Sequence, residues 1–266
     1  FAFEQTYINK FVLFFVMSKN KFIAYGNVFD QSTLRGLFKL SSQGYFDEIK
    51  SPVKIGKESN VFTVESGDEL RIVKVYRTAA SFAKMMNYMK PDPRYMNVKG
   101  SKLTVVYAWA KKEFANLLKA RKGGVIVPTP YAVHKNILCM EMIGDSKPAP
   151  MLHKQPPKDV GLFYKRLRRE IKLLYKAKLV HTDISEYNIL NYNDKPILID
   201  FSHAVDLRYP GVEKLLMRDI NNLVRYFAKF GLELDADAEF KKIVKKKTSP
   251  RVLILLCIEL LKILEL

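Results

Sequence analysis

The sequence has few of the residues that build a disulfide framework, a zinc site or a membrane span. Cysteine occurs only at Cys139 and Cys257, each in an apolar setting and without metal-ligand spacing. This usage indicates reduced, buried thiols in an intracellular protein and argues against zinc. The apolar run over 11–17 is seven residues long, whereas a bilayer span needs ~20. We therefore expect no membrane partner.

Acidic side chains are scarce relative to basic ones. The 266 residues carry 45 lysines and arginines against 27 acids, a formal net charge of +18. Much of the excess lies in residues 71–122, where Asp92 and Glu113 are the only acids among thirteen basic side chains. Such density suits a polyanionic partner, because neutralised phosphates release counterions, but a solubilising surface explains it equally well.

The composition is that of a globular protein, with 48% hydrophobic residues and length for one large or two small domains. We expect Met17 to be the natural start and residues 1–16 to be an upstream extension, although Lys10 before the apolar run leaves a signal peptide open. The expected divisions are an N-terminal extension (1–29), a helical segment (30–51), a β-rich lobe (52–143), and a helical lobe with a C-terminal helix (144–266).

Residue patterns in the first half predict a short helix and a small antiparallel sheet. Leu34, Leu37 and Leu40 share a helical face that ends near Gly44. Alternating apolar residues around turns then predict strands, and residues 77–104, with two prolines and a glycine, read as a long loop. The predicted elements are a helix within 30–48, two strands within 53–64, a strand over 69–76, a helix over 106–121 and a strand over 136–143.

The second half predicts helices around one short hairpin. A Pro-rich connector over 144–157 is a natural hinge between the two lobes. The predicted elements are a helix over 161–178, a hairpin turning at 193–196, and helices over 212–230 and 236–266, the last ending in a segment over 252–266. A β-rich first lobe and a helical second lobe make an α+β protein.

Three polar residues in this second half have the spacing of a phosphoryl-transfer site. Asp183 and Asn188 lie five residues apart, and Asp200 follows a short apolar strand. Protein kinases place a catalytic aspartate, an asparagine and a second aspartate in this order. The chemistry needs a carboxylate at the nucleophile and oxygen ligands that hold Mg²⁺ against nucleotide phosphates. His181 is expected to support this loop by packing rather than to act as a base.

A lysine and a glutamate upstream extend the pattern. Lys74 is flanked by four apolar residues of a predicted strand, so it needs a partner or a ligand unless it faces outward. Glu113 lies on the inward face of a predicted helix, although it could be an exposed carboxylate among Lys111 and Lys112. In kinases a helix glutamate pairs with the strand lysine that holds the nucleotide phosphates. The order of these residues along the chain favours that pairing.

The sequence resembles the RIO atypical protein kinases, specifically their type-one branch, over about residues 30–230. The most characteristic segment is Ser185-Glu186-Tyr187-Asn188, because ordinary kinases have lysine at the position of Ser185 and aminoglycoside-type phosphotransferases usually have histidine. Other matching segments are 46–49, 55–61, 109–113, 140–144, 179–190 and 218–222. The resemblance implies a two-lobed protein-kinase-like fold, with a small β-rich N-lobe, a helical C-lobe and a truncated substrate-binding region.

Two absences distinguish the sequence from ordinary protein kinases. The nucleotide-covering loop has one glycine, Gly56, in place of three, and Asp200 is followed by Phe201-Ser202 rather than Phe-Gly. No Ala-Pro-Glu segment follows, as in RIO proteins, so phosphorylation of another protein is less expected. Residues 112–116 and 78–107 match the family only loosely, although every catalytic side chain is present.

The resemblance implies ATP and Mg²⁺ as cofactors and a role for each catalytic residue. Asp183 would orient or deprotonate the attacking hydroxyl, and Asn188 and Asp200 would hold Mg²⁺. Lys74, fixed by Glu113, would contact the nucleotide phosphates.

The nucleotide-binding residues follow from the same resemblance. Gly56, Lys57 and Ser59 would cover the triphosphate, and backbone groups of Glu141 and Ile143 would hold the adenine.

RIO relatives act in maturation of the small ribosomal subunit and also transfer phosphate to the metal-binding aspartate. The resemblance therefore implies an Mg-ATP-dependent kinase or ATPase with an aspartyl-phosphate on Asp200, whose hydrolysis drives release from the pre-ribosomal small subunit and its RNA. Two alternatives stay open: an RNA-docking, nucleotide-binding module with negligible turnover, and a conventional serine/threonine protein kinase acting in trans. The implied location is the cytoplasm, with the nucleus as an alternative.

Overall fold

The structure, a computed structural model, describes residues 29–78 and 80–244. Met17, Cys257 and the helix predicted over 252–266 lie outside the described residues. The helices are α1 (Gln31–Ser42), α2 (Phe82–Met89), α3 (Lys102–Lys122), α4 (Val160–Lys176), α5 (Val212–Ala228) and α6 (Ala236–Val244). The strands are β1 (Glu48–Ile55), β2 (Ser59–Ser66), β3 (Glu69–Tyr76), β4 (Pro130–His134), β5 (Ile137–Glu141), β6 (Leu179–Val180), β7 (Ile189–Tyr192), β8 (Lys195–Leu198) and β9 (Val205–Asp206).

The N-terminal lobe is built on a five-stranded antiparallel sheet in the order β1-β2-β3-β5-β4. Because side chains alternate along a strand, Phe62, Val73 and Val75 share one face and are buried in a cluster with Leu37 of α1. Lys74 lies between two of them and faces the opposite way, toward α3. The bounds predicted for β3 are confirmed, and this strand sets the direction of the lysine.

The segment between β3 and α3 is more regular than the sequence patterns predict. The prediction of one long loop over 77–104 is wrong, because α2 lies within it and α3 begins four residues earlier, at 102 instead of 106. The hydroxyl of Ser81 caps the first turn of α2. Met85 and Met89, one helical turn apart, are buried in a cluster with Trp109 of α3. This apolar contact stabilises a short helix that the flanking prolines and glycine obscure in the sequence.

The C-terminal lobe has one apolar core shared by α4, α5 and α6. Leu167, Ile171 and Leu174 form the stripe of α4 that packs with Ile220 and Phe227 of α5. Burying such a side chain contributes about 1.5–3 kcal/mol, so the stripe fixes the helix that leads into the catalytic loop. Among the described residues, no helix is long and apolar enough to cross a membrane.

The predicted hairpin forms from β7 and β8, with a tighter turn than expected. Asn193 and Asp194 have φ of 52° and 56° and make the two-residue connection, a conformation that Asn and Asp tolerate. Lys195 and Pro196, predicted in the turn, belong to β8. Asp200 follows two residues after the end of this strand.

A short connector after β5 joins the lobes, and Gly144 is its most constrained residue. Its φ is +145°, and an added Cβ would overlap the carbonyl oxygen of Lys147. Replacing Gly144 by alanine should therefore lower the free energy of unfolding by about 1–3 kcal/mol and raise the KM for ATP, because Ile143 precedes it. Urea unfolding and initial rates measure both effects. The control is Gly161→Ala in the first turn of α4, where an added Cβ would make only an ordinary contact, 3.6 Å from Asp159 Oδ1. Equal losses in the two variants would contradict the prediction.

Candidate active site

Lys74, Glu113 and Asp200 meet at the back of the cleft between the lobes. The Lys74 Nζ donates to Glu113 Oε1 at 3.1 Å and to Asp200 Oδ1 at 2.9 Å. Lys74 and Glu113 are buried, and the hydroxyl of Tyr76 also donates to Glu113. The hydroxyl of Ser202 donates to Asp200 Oδ1 at 2.7 Å. Residues distant in sequence thus form one charged cluster, in the order that the sequence predicts.

The electrostatics of this cluster keep Lys74 and Asp200 charged. Burial opposes ionisation of Asp200, but the Lys74 ammonium and the Ser202 hydroxyl outweigh it and hold the pKa of Asp200 well below its usual range. Burial would likewise lower the pKa of Lys74, yet Asp200 and Glu113 raise it. Burial raises the pKa of Glu113 to about 7, against the opposing effect of Lys74. The carboxylate of Asp200 is therefore ionised at any physiological pH.

The catalytic loop after β6 is held by a buried aspartate of α5. Both oxygens of Asp219 are used: Oδ2 accepts the N–H of Thr182 at 2.8 Å and Oδ1 accepts that of Ile184 at 3.1 Å. Thr182 has a φ of +66°, which these bonds stabilise. Asn188 donates to Asp183 Oδ2 at 2.8 Å and to its carbonyl at 2.9 Å. Asp183 is thereby fixed at the cleft while its side chain reaches solvent.

Asp183 is a stronger base than an ordinary aspartate. Its surroundings in the cleft raise its pKa by desolvation, and nearby Asp200 adds to the increase, while His203 and Lys84 oppose it. A carboxylate with a raised pKa accepts a proton more readily when a hydroxyl or water attacks phosphorus. The geometry thus suits Asp183 to proton transfer and Asp200 to a permanently charged role.

The cleft is lined by most of the residues predicted to bind nucleotide. Gly56, Lys57 and Ser59 lie in or beside the loop between β1 and β2 that borders it. Asp183 is not among its lining residues, although Asn188, which donates to Asp183, is. The other lining residues include the charged and polar set Lys74, Glu113, Asn188, Asp200 and Ser202 at one end, and the apolar set Val61, Ile72, Met140, Met142 and Leu190.

Within the described chain, the connector after β5 has a free backbone N–H, that of Ile143, which could bind a planar ring such as adenine. The N–H of Ile143 donates no hydrogen bond to any described residue, whereas its carbonyl accepts the N–H of Ala149 at 2.8 Å. Glu141 lines the cleft, but its side chain is turned away and accepts two bonds from Thr129. The side chain of Glu141 is therefore engaged elsewhere, and the assignment of backbone groups of Glu141 and Ile143 to the adenine stays a prediction.

The residues present also fit Mg²⁺. The Oδ1 of Asn188 and the Oδ2 of Asp200 accept no hydrogen bond from the described chain, and both residues line the cleft. Within the described residues, no cluster of three or more His, Cys, Asp or Glu could hold a metal alone. Mg²⁺ commonly uses one or two protein oxygens and completes its shell with water and phosphate oxygens. Asn188 and Asp200 match that requirement.

His181 supports the loop from within the core. Its ring is buried, packs edge-on against Phe201, and its Nε2 lies 2.9 Å from the carbonyl of Ile199. Burial lowers its pKa to about 4. The unfolded chain, with a pKa of ~6.5, therefore takes up this proton first. The stabilisation is present above pH 6.5 and is lost as the pH falls toward 4.

Replacing His181 by glutamine should remove this pH dependence. We expect the stability advantage of the wild type over His181→Gln to shrink by about 2 kcal/mol between pH 7.5 and pH 5. Urea unfolding of both proteins at both pH values measures the difference. Asp219 and Glu113 titrate in the same range, but they are present in both proteins and cancel. If the free energy of unfolding changed equally with pH in the two proteins, His181 would not be held neutral by burial.

Sequence reasoning missed several polar residues that hold the site together. Asp219 lies on the otherwise apolar face of α5, beside Leu216 and Ile220, and a carboxylate within an apolar stripe was a usable signal. Lys112, which the sequence marks only as a neighbour of Glu113, is fully buried. No sequence pattern identifies its partners, which are backbone carbonyls.

A β-rich lobe, a short connector and a helical lobe, with the lysine–glutamate pair and the Asp-Asn-Asp set facing the cleft, define a protein-kinase-like fold. The model of the RIO domain family matches residues 60–242. The chain belongs to this family of atypical serine/threonine kinases, in its type-one branch.

Similar proteins come from archaea and from a fungus. The RIO-type serine/threonine-protein kinase Rio1 of Haloferax volcanii is 38% identical over 219 residues, covering 81% of this chain and 75% of the relative. The Rio1 of Methanocaldococcus jannaschii is 36% identical, with 84% and 78% coverage. The Rio2 kinase of Chaetomium thermophilum, solved as an ADP/Mg²⁺–phosphoaspartate complex, shares the fold with a TM-score of 0.62 at 23% identity, covering 80% of this chain and 66% of that one.

Proposed function

We propose that this kinase transfers the γ-phosphate of ATP to Asp200 and hydrolyses the product, in a cycle that serves maturation of the small ribosomal subunit. The observation that carries the proposal is the state of Asp200. Its carboxylate is ionised, anchored through one oxygen by Lys74 and Ser202, and free at the other oxygen. A charged carboxylate that is held through one oxygen and has its other oxygen free at the cleft is suited to attack phosphorus.

The first chemical step forms an acyl phosphate on the protein. The free oxygen of Asp200 attacks the γ-phosphorus, and the bond between that phosphorus and the bridging oxygen of ADP breaks. The electron pair leaves with ADP, and Lys74 and Mg²⁺ would neutralise the charge that develops on the phosphate oxygens. The Chaetomium Rio2 structure, described as a phosphoaspartate complex, supports this step by relationship.

The second step returns the enzyme to its starting state. A water oxygen attacks the phosphorus of the aspartyl-phosphate, the bond to Asp200 breaks, and inorganic phosphate leaves. Asp183 accepts the proton of the water, which its raised pKa favours. Asn188 holds the accepting carboxylate in place through its amide.

The surroundings of Asp183 favour this cycle over phosphorylation of another protein. Helix α2 contacts the nucleotide-covering loop through Lys84, which pairs with Glu58 at 2.5 Å. It contacts the C-lobe through Tyr88, which packs on His203 at 4.8 Å. Because Glu58 lines the cleft, α2 borders the cleft on the side of this loop, where it would restrict the approach of a hydroxyl from another protein.

The proposed partner is the pre-ribosomal small subunit and its RNA, in the cytoplasm with the nucleus as an alternative. The basic segment over 71–122 supports an RNA surface only in part. Lys74 and Lys112 are buried, and Arg94 is paired with Asp92. The bases that remain exposed are Arg77, Lys84, Lys90, Lys99, Lys102, Lys111, Arg121 and Lys122, of which Lys84 is paired with Glu58.

Incubation with Mg²⁺ and γ-labelled ATP tests the function. We expect label on the chain that survives acid but is released by hydroxylamine, and that is absent from Asp200→Ala. Label on a hydroxyl of another protein would support a conventional kinase. Equal, slow hydrolysis by the wild type and Asp183→Ala, without labelled protein, would support a passive nucleotide-binding module.

A further inference from the structure

The segment directly after Asp200 is held by side chains of other elements. The carbonyls of residues 201–204 all accept side-chain hydrogen bonds, from Asn116, Lys112 and Thr182. The carbonyl of Ala204 alone accepts three, from Lys112, Asn116 and Arg94. The distances to Ala204 O are 2.6 Å, 2.9 Å and 3.3 Å respectively. This segment contains no helix or strand until β9, so these bonds define its conformation.

Of these side chains, Lys112 is the one whose burial is least favourable in free energy. It is fully buried, and its Nζ donates to the carbonyls of Ser202 at 2.8 Å and Ala204 at 2.6 Å. Among the described residues, no carboxylate lies within ion-pair distance of it; the nearby Asp92 is paired with Arg94. An ammonium group buried without an anion is unfavourable, and burial lowers the pKa of Lys112 to about 7. Packing alone would be served better by an apolar side chain.

The position of Lys112 links the Lys74–Glu113 pair to the segment that follows Asp200. It neighbours Glu113 in α3, so one helix holds both the partner of Lys74 and the segment that follows Asp200. Asp200 has a φ of +62°, a conformation that a non-glycine residue keeps only where its surroundings impose it.

We propose that Lys112, together with Asn116, is a positioning residue that fixes the backbone after Asp200, so that the free carboxylate oxygen is presented to Mg²⁺ and the nucleotide phosphates. This inference rests on the proposed role of Asp200. Loss of Lys112 should reduce the gain in nucleotide affinity that Mg²⁺ provides. It should affect nucleotide binding without Mg²⁺ much less, because Lys74, Glu113 and the connector remain.

The test uses calorimetry to compare the affinity for ADP with and without Mg²⁺, in the wild-type chain and in the Lys112→Met variant. Methionine keeps the length of the side chain and removes the donor. We expect the gain in ADP affinity that Mg²⁺ provides to fall about 10- to 100-fold, as for other residues that orient metal ligands. ADP binding without Mg²⁺ should change less than about twofold, and kcat should fall more than KM rises. The matched control is Lys111→Met, which removes the same charge from an exposed neighbour.

Asn116→Leu is a second variant, which removes the hydrogen bonds to the carbonyls of Phe201 and Ala204. It tests the proposal if Lys112→Met does not fold. It should lose the Mg²⁺-dependent gain in the same way. A folded Lys112→Met that keeps the full gain would show that Lys112 only packs. A wild type that gains affinity with Mg²⁺ but shows no turnover would reject the proposed cycle and leave the positioning role measurable. A wild type without any Mg²⁺-dependent gain would overturn both.

Discussion

Replacing Asp200 by asparagine should lower ATP turnover by at least about 1,000-fold. The substitution removes the nucleophile, one of the two Mg²⁺ ligands and one of the two carboxylates that neutralise buried Lys74. Each of these changes removes stabilisation of the transition state, so kcat should fall. The affinity for ADP without Mg²⁺ should stay within a fewfold range. Initial rates and calorimetry on Asp200→Asn give both quantities.

Asp206→Asn is the matched control for Asp200→Asn. Asp206 is also ion-paired, with Lys119 at 2.9 Å and Arg208 at 2.8 Å, but it is buried and lies outside the cleft. It should lose stability and keep turnover within about threefold of the wild type. Equal losses of turnover in the two variants would show that the effect of Asp200→Asn is structural.

Asp183→Asn should slow turnover by about 100- to 10,000-fold, the range for loss of a positioned general base. The asparagine keeps the shape of the side chain but cannot accept the proton of the attacking water. Transfer to Asp200 does not need that proton acceptor, so labelled protein should accumulate in Asp183→Asn and be absent from Asp200→Asn. Quenched time courses with γ-labelled ATP follow both species. Asp183→Asn with wild-type turnover and no more label than the wild type would remove Asp183 from the second step.

The main parts of the site could be predicted because they depend on order and spacing. Lys74, Glu113, Asn188 and Asp200 belong to local patterns, a strand, a helix and a loop, and the family resemblance assigned their partners. The contact of Lys74 with Glu113 is the pairing that the order of residues favoured, whereas its contact with Asp200 was not predicted. The roles assigned to these residues in catalysis remain predictions.

The rest of the structure depends on contacts that leave no periodic signal. Helix α2 is eight residues long, too short to be stable in isolation. It forms because Met85 and Met89 pack in one cluster with Trp109. Lys112 bonds backbone carbonyls some ninety residues away, and any sequence can supply a carbonyl. Patterns therefore identified the charged centre of the site and missed the residues that orient it.

Identification of the residue that receives phosphate distinguishes an aspartyl-phosphate enzyme from a conventional protein kinase. The wild type and Asp183→Asn would be incubated with Mg²⁺ and ATP, treated with borohydride to reduce an acyl phosphate to the corresponding alcohol, and digested for mass spectrometry. We expect homoserine at position 200, more abundant in Asp183→Asn and absent without ATP. Unmodified Asp200 in both proteins, with phosphate found on a serine or threonine of this chain, would contradict it.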